Sequence, residues 1–161
     1  MVTQPELHDN DLVLWTQLLG EVLNAQVLER LRAEHPHVRY AHGFLIQQLV
    51  EGPRPIGEIA ENLGVTSQAV SKSVRELEGH GYVDRRGDPA DGRVRRVALT
   101  DKGRAVVAAG RKVRAAINAE LAEALGAARV EAAARTLKAA LESRGAMPAV
   151  LARRVPPPAL G

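Results

Sequence analysis

The segment from Ile56 to Thr100, reading IGEIAENLGVTSQAVSKSVRELEGHGYVDRRGDPADGRVRRVALT, constrains the fold of this chain more than any other. Two short helical patterns meet at Gly64, and an arginine-laden hairpin pattern follows at once. Ala60 stands on the first helix, where a larger side chain would hold the second helix away. Gly64, four residues on, supplies the left-handed residue that a helix C-terminus favours. Val70, Val74 and Leu77 then recur at helical spacing and form one inward stripe. The spacing predicts helices over 57–63 and 67–79, the second capped by Thr66. No Glu or Gln stands three residues after Thr66, so a full capping box is absent.

The opposite face of the second helix carries Gln68, Ser71, Lys72 and Arg75, with Thr66 and Ser67 at its N-terminal tip. Short polar groups of this kind reach base edges and phosphates, and Lys and Arg supply phosphate affinity. His80-Gly81 ends that helix. Strands are expected over 82–86 and 93–99, joined by the turn-forming Gly87-Asp88-Pro89-Ala90-Asp91-Gly92. Arg85, Arg86, Arg93, Arg95 and Arg96 crowd this hairpin. Strand alternation sends Arg93 and Arg95 to one face and Arg96 to the other. A cation at a hairpin tip can enter a narrow minor groove, where negative potential is concentrated. Helix and hairpin together weigh against an ordinary helix pair with a solvated face.

The flanks read as helices. One is expected over 11–32, with Leu12, Trp15, Leu19, Val22 and Leu31 as its apolar side, weakened by Gly20. Another is expected over 37–50, with Phe44, Leu45 and Leu49. Gly52-Pro53-Arg54-Pro55 then interrupts the pattern. Beyond Thr100, Val106, Val113, Ile117 and Leu121 stripe a further helix, and Gly126 separates it from a last one over 127–143. The tail 146–161, with Met147-Pro148 and Pro156-Pro157-Pro158, is expected to be irregular. Trp15, Tyr40, Phe44 and Tyr82 are the only aromatics of the three large types, so the core must be aliphatic. The chain carries a net charge of +3, but residues 1–36 hold −4 and residues 101–161 hold +6. These ends either pair across an interface or are simply solvated, exposed pairs being worth little.

On these residues the chain resembles the MarR family of transcriptional regulators. The likeness is carried by Ile59-Ala60, Leu63-Gly64-Val65-Thr66, Val70-Ser71, Leu77-Glu78, Gly81-Tyr82-Val83, Asp88-Pro89-Ala90-Asp91-Gly92-Arg93 and Leu99-Thr100-Asp101-Lys102-Gly103. The resemblance implies a mainly α fold with a small β-hairpin wing. A winged helix–turn–helix domain over 37–100 would be flanked by an N-terminal arm and dimerisation helix over 1–36 and by C-terminal dimerisation helices over 101–145. It implies that Asp91 braces the wing and Arg93 approaches the minor groove. It further implies a homodimer that binds double-stranded DNA at a pseudo-palindromic operator, with repression the expected outcome. One departure is local: Arg54-Pro55-Ile56-Gly57 stands where many relatives place a Ser or Thr cap. Proline in a first helical turn is acceptable.

The resemblance also implies a small, aromatic or anionic effector between the dimer helices and the winged domain. The matching region holds Trp15, His37, Arg39, Tyr40, His42 and Phe44, and Arg39 suits a carboxylate. The aromatics of this set serve equally well as core. His35, His37 and His42 suit zinc by residue type, but their spacing matches no tight chelate, so neither a metal nor a cofactor is expected. The chain has no cysteine, which removes thiolate catalysis and thiol redox sensing. No catalytic triad order, phosphate loop or paired-carboxylate motif points to an enzyme. With no signal-peptide pattern and no stretch of about 18 uncharged apolar residues, a cytoplasmic protein that does not enter the membrane is expected. The alternative to DNA binding is a winged-helix module that binds only protein.

Overall fold

A computed structural model describes residues 10–87 and 95–151 of the chain. Asp11 starts α1 (Leu12–Glu34), its Oδ1 accepting from the Leu14 N–H at 2.9 Å. The chain turns at His35–Arg39, where the Val38 N–H donates to the His35 carbonyl. That turn delays α2 to Tyr40–Gln48, inside the expected 37–50. α3 (Ile56–Leu63) and α4 (Ser67–Gly79) follow the expected pattern. Gly64 adopts φ +64°, and the N–H groups of Gly64 and Val65 close onto the carbonyls of Glu61 and Ala60. Thr66 Oγ1 accepts from the Ala69 N–H at 3.2 Å, which is the predicted cap.

Strands β2 (Val83–Gly87) and β3 (Arg95–Leu99) pair antiparallel, with Val83 opposite Leu99 and Gly87 opposite Arg95. The expected start of the first strand, Tyr82, lies instead in the turn before it, its N–H bonded to the Leu77 carbonyl. Residues 88–94, among them Asp91 and Arg93, lie outside the described residues. A third strand was not expected: β1 (Arg54–Pro55) pairs with β3, giving the order β1–β3–β2. Pro55 has no N–H to donate, and an edge strand tolerates that.

The core lies between this sheet and α2, α3 and α4. Ile59, Val74, Leu77 and Tyr82 are fully buried, and Val38, Leu45, Ile46, Val70 and Val97 pack with them. Ala60 is buried at the α3–α4 approach, as its size requires. Leu31 of α1 and Val106 and Val107 of α5 (Asp101–Leu125) extend the same cluster. The start of α5 is held against the segment that leads into β2. Thr100 Oγ1 accepts from the Gly103 N–H at 3.1 Å, and its hydroxyl lies 2.7 Å from the Gly81 carbonyl oxygen. A side chain at Gly103 would collide with the Tyr82 carbonyl, so the helix approaches the sheet closely.

α5 leads at Gly126 (φ +91°) into α6 (Ala127–Ser143), which matches the expected helix. Arg30 of α1 and Glu120 of α5 form a two-pronged ion pair at 2.6 and 2.7 Å, tying the flanking helices together. The expectation of an irregular tail is corrected in part: Met147–Leu151 forms a short helix, α7. Pro148 stands in its first turn, where a missing N–H costs nothing. The remainder of the tail lies outside the described residues.

Candidate nucleic-acid interface

The two faces of α4 differ sharply. Val70, Val74 and Leu77 are buried. Thr66, Ser67, Gln68, Lys72 and Arg75 are exposed, and Ser71 is half-buried at the edge between the faces. Among the described residues Arg75 has no ion-pair partner, and Lys72 has only a longer-range attraction to Glu76. A cation without an internal partner can meet a phosphate with no bond to break first.

The arginines of the hairpin divide into two groups. Arg85 Nε pairs with Glu78 Oε2 of α4 at 3.2 Å, which braces the strand against the helix. Arg86 grips the Asp84 carboxylate beside it, at 3.0 Å to either oxygen. Arg96 is half-buried beside β1, its Nη1 donating to the Pro53 carbonyl at 3.4 Å. Arg95 is exposed and has no such partner among the described residues. Arg95 is thus presented outward, and Arg96 is turned into the sheet edge.

The residues proposed for an effector separate as well. Between α1, α2 and α5 lies a cavity of about 390 Å³. Its apolar wall includes Val27, Leu28, Phe44, Val106 and Val107, and its polar lining includes Asn24, Arg39, Tyr40, Gln47 and Arg114. Tyr40 packs edge-on to Phe44, and its hydroxyl accepts from Asn24 Nδ2 at 3.1 Å. Arg39, Tyr40 and Phe44 therefore line the cavity, whereas Trp15, His37 and His42 do not. Trp15 is partly exposed near the start of α1. His37 stacks on His80 with ring centroids 3.9 Å apart.

His42 is buried and structural. Its Nδ1 accepts from the Arg39 N–H at 3.3 Å, which caps α2, and its Nε2 lies 3.2 Å from Glu76 Oε2. With Nδ1 accepting, the neutral ring donates from Nε2. Burial holds the His42 pKa below its ordinary value, outweighing the Glu76 carboxylate that raises it. The hydrogen bond from His42, with the charge of Arg39 behind it, holds the Glu76 carboxyl below its usual range. Glu76 was not singled out in the sequence, because α4 carries two acidic and two basic residues and nothing local marks one of them. Among the described residues no group of three His, Asp or Glu side chains could hold a metal, and no helix is long and apolar enough to cross a membrane.

A glycine-turned helix pair backed by a three-stranded sheet defines a winged helix–turn–helix protein. Residues 41–94 match the sequence profile of the MarR family. YusO from Bacillus subtilis is 30% identical, with 81% of this chain and 92% of that one covered at a TM-score of 0.65. A transcriptional regulator from Thermotoga maritima, Tm0710, is 26% identical over 81% of this chain and 95% of its own, at a TM-score of 0.63. The transcriptional repressor CouR, solved on a 23-mer DNA duplex, is 28% identical over 83% of this chain and 97% of its own, at a TM-score of 0.56. No curated protein matches the sequence. The chain belongs to the MarR family of transcriptional regulators, which are non-enzymatic DNA-binding transcription factors.

Proposed function

We propose that this chain is a homodimeric, sequence-specific DNA-binding repressor. The observation that carries the reading is the outward face of α4, where Thr66, Ser67, Gln68, Lys72 and Arg75 stand exposed; Arg95 of the hairpin is exposed as well. In this reading α4 enters a major groove, and Arg93, braced by Asp91, reaches the neighbouring minor groove. CouR, similar over most of this chain, was solved on duplex DNA.

Two features support the dimer. Leu12, Val13, Trp15, Leu18, Leu19 and Val22 of α1 are all at least 39% exposed in the isolated protomer. Leu125, Leu137 and Leu141, on α5 and α6, are exposed too, and α6 has no buried residue. Apolar surface on this scale marks a protein contact. Segments 1–36 and 101–145 would thus form the dimer, and 37–100 would read the DNA. The cavity between α1, α2 and α5 would take a small aromatic or anionic effector that releases the DNA.

Selection of bound duplexes from a random pool tests this directly. The selected site should be a pseudo-palindrome with half-site centres about 34 Å apart. If the dimer neutralises about eight phosphates, log affinity should fall against log salt with a slope near −7. A salt-independent affinity, or no enriched sequence, would overturn the proposal in favour of a module that binds only protein.

A further inference from the structure

We infer that Glu78 and Arg85 are positioning residues for operator selection: their ion pair fixes the angle between α4 and the hairpin, and so decides how strictly one half-site must match both. This rests on reading α4 and the hairpin as the elements that contact DNA. The pair joins Arg85 Nε of β2 to Glu78 Oε2 of α4 at 3.2 Å. It stands where the buried face of the sheet ends. Directly opposed residues share a face, so Val83 with Leu99, Arg85 with Val97 and Gly87 with Arg95 line one side in turn. Val83, Leu99 and Val97 are buried, whereas Gly87 and Arg95 are exposed. Arg85 therefore ties the hairpin to α4 at the rim, just before the exposed end on which Arg95 is presented.

The charges on α4 point the same way. Its two acidic side chains are both engaged by neighbouring elements, Glu76 by His42 and Arg39, and Glu78 by Arg85. Its two basic ones, Lys72 and Arg75, form no salt bridge among the described residues. Glu78 follows Arg75 by three residues and Ser71 by seven, which places it on the flank of the outward face. A carboxylate there repels phosphate, and the Arg85 guanidinium offsets it. The two side chains are 33% and 39% exposed, so solvent screens the pair and its coupling is modest. What the pair supplies is alignment. Contacts to phosphate hold any duplex, whereas contacts to base edges reward only the correct register. A hairpin free to swing about its buried base keeps the first kind of contact and blurs the second.

The test uses the full-length chain, the duplex selected from the random pool and a scrambled duplex of equal length. Both affinities are read by fluorescence anisotropy, and their ratio is compared between variants. Glu78→Gln removes a negative charge, so affinity for the scrambled duplex should hold or rise. Its affinity for the selected duplex should nevertheless fall, lowering the ratio roughly two- to fivefold, the range of an exposed ion pair. Arg85→Gln should weaken binding to both duplexes and lower the ratio to a similar extent. The charge-swapped double variant, Glu78→Arg with Arg85→Glu, should recover most of the parental ratio. A second selection with Glu78→Gln should keep the bases preferred under α4 and lose preference at those under the hairpin. An unchanged ratio in Glu78→Gln would overturn the positioning role and leave Glu78 a bystander charge, with the DNA reading intact. A double variant no better than the single ones would overturn the pairing as its cause. If the parental chain selects no site, the DNA reading falls, and this inference with it.

Discussion

Replacement of Gly103 by alanine should destabilise the protein, although it puts a better helix former into a helix. A Cβ at this position would meet the Tyr82 carbonyl oxygen head-on, with Leu99 Cδ2 at 3.0 Å and the Tyr82 carbonyl carbon at 3.2 Å. Two of these three atoms are backbone, so no side chain can swing away to relieve the contact. The same carbonyl accepts the Thr100 N–H at 3.2 Å, and Thr100 in turn caps α5. Moving α5 outward therefore strains the cap and loosens Val106 and Val107 from the core. Overpacking of this kind costs about 1–3 kcal/mol, and loss of a cap about 1 kcal/mol. The gain in helix propensity is at most about 1 kcal/mol. A net loss of about 1–3 kcal/mol follows. A 2 kcal/mol loss would lower Tm by roughly 4–8 °C for a chain of this size. Urea unfolding at one fixed protomer concentration is the assay, since the stability of the proposed dimer would depend on concentration. Gly57→Ala in α3 is the control. No heavy atom lies within 4 Å of its added Cβ, so it should be neutral or gain up to about 1 kcal/mol. If Gly103→Ala behaves like Gly57→Ala, the close approach of α5 to the sheet is wrong.

Gly64→Val should cost at least about 1–2 kcal/mol, because Gly64 sits at φ +64° and a β-branched residue resists the left-handed region; an unchanged melting temperature would contradict the turn. Arg93→Ala should weaken operator binding by about tenfold without moving the urea midpoint, and parental affinity would remove Arg93 from the interface. Burial depresses the His42 pKa in the folded chain, so the unfolded chain takes up a proton first as pH falls. The stability that neutral His42 contributes is full above its ordinary value of 6.5 and is lost as pH drops from there through the folded value. The decline of stability below pH 6.5 should therefore be shallower in His42→Gln, and parallel profiles would refute the assignment.

The elements that the sequence revealed are those with local causes. Gly64, the Thr66 cap, the Val70–Val74–Leu77 stripe and the break at Gly126 each act within a few residues, and each stands where expected. β1 was hidden because Gly52-Pro53-Arg54-Pro55 has the composition of a breaker. Only its pairing with Val97 and Arg96, more than forty residues away, makes it a strand. Trp15 was grouped with Arg39 and Tyr40 by residue type. Yet nine residues of α1 separate it from Asn24 at the cavity, about 13 Å along the helix. His42 looked like a ligand-facing residue, but its place three positions after the N-cap residue Arg39 makes it a cap. Its second partner, Glu76, lies on another helix, and no local pattern records that contact. For the same reason, Arg85 and Arg96 gave no sign in the sequence of being anchored internally.

The unbroken run of α5 turns the Thr100–Gly103 junction into a fulcrum. At 25 residues the helix is about 37 Å long. A pivot of only about 5° at one end carries the other by about 3 Å, close to the rise of one base pair. In the proposed dimer, the spacing that two winged domains would present to DNA is therefore set by angles at the base of a long arm. Small rearrangements near that base are geometrically sufficient to put one domain a full base-pair step out of phase with the other.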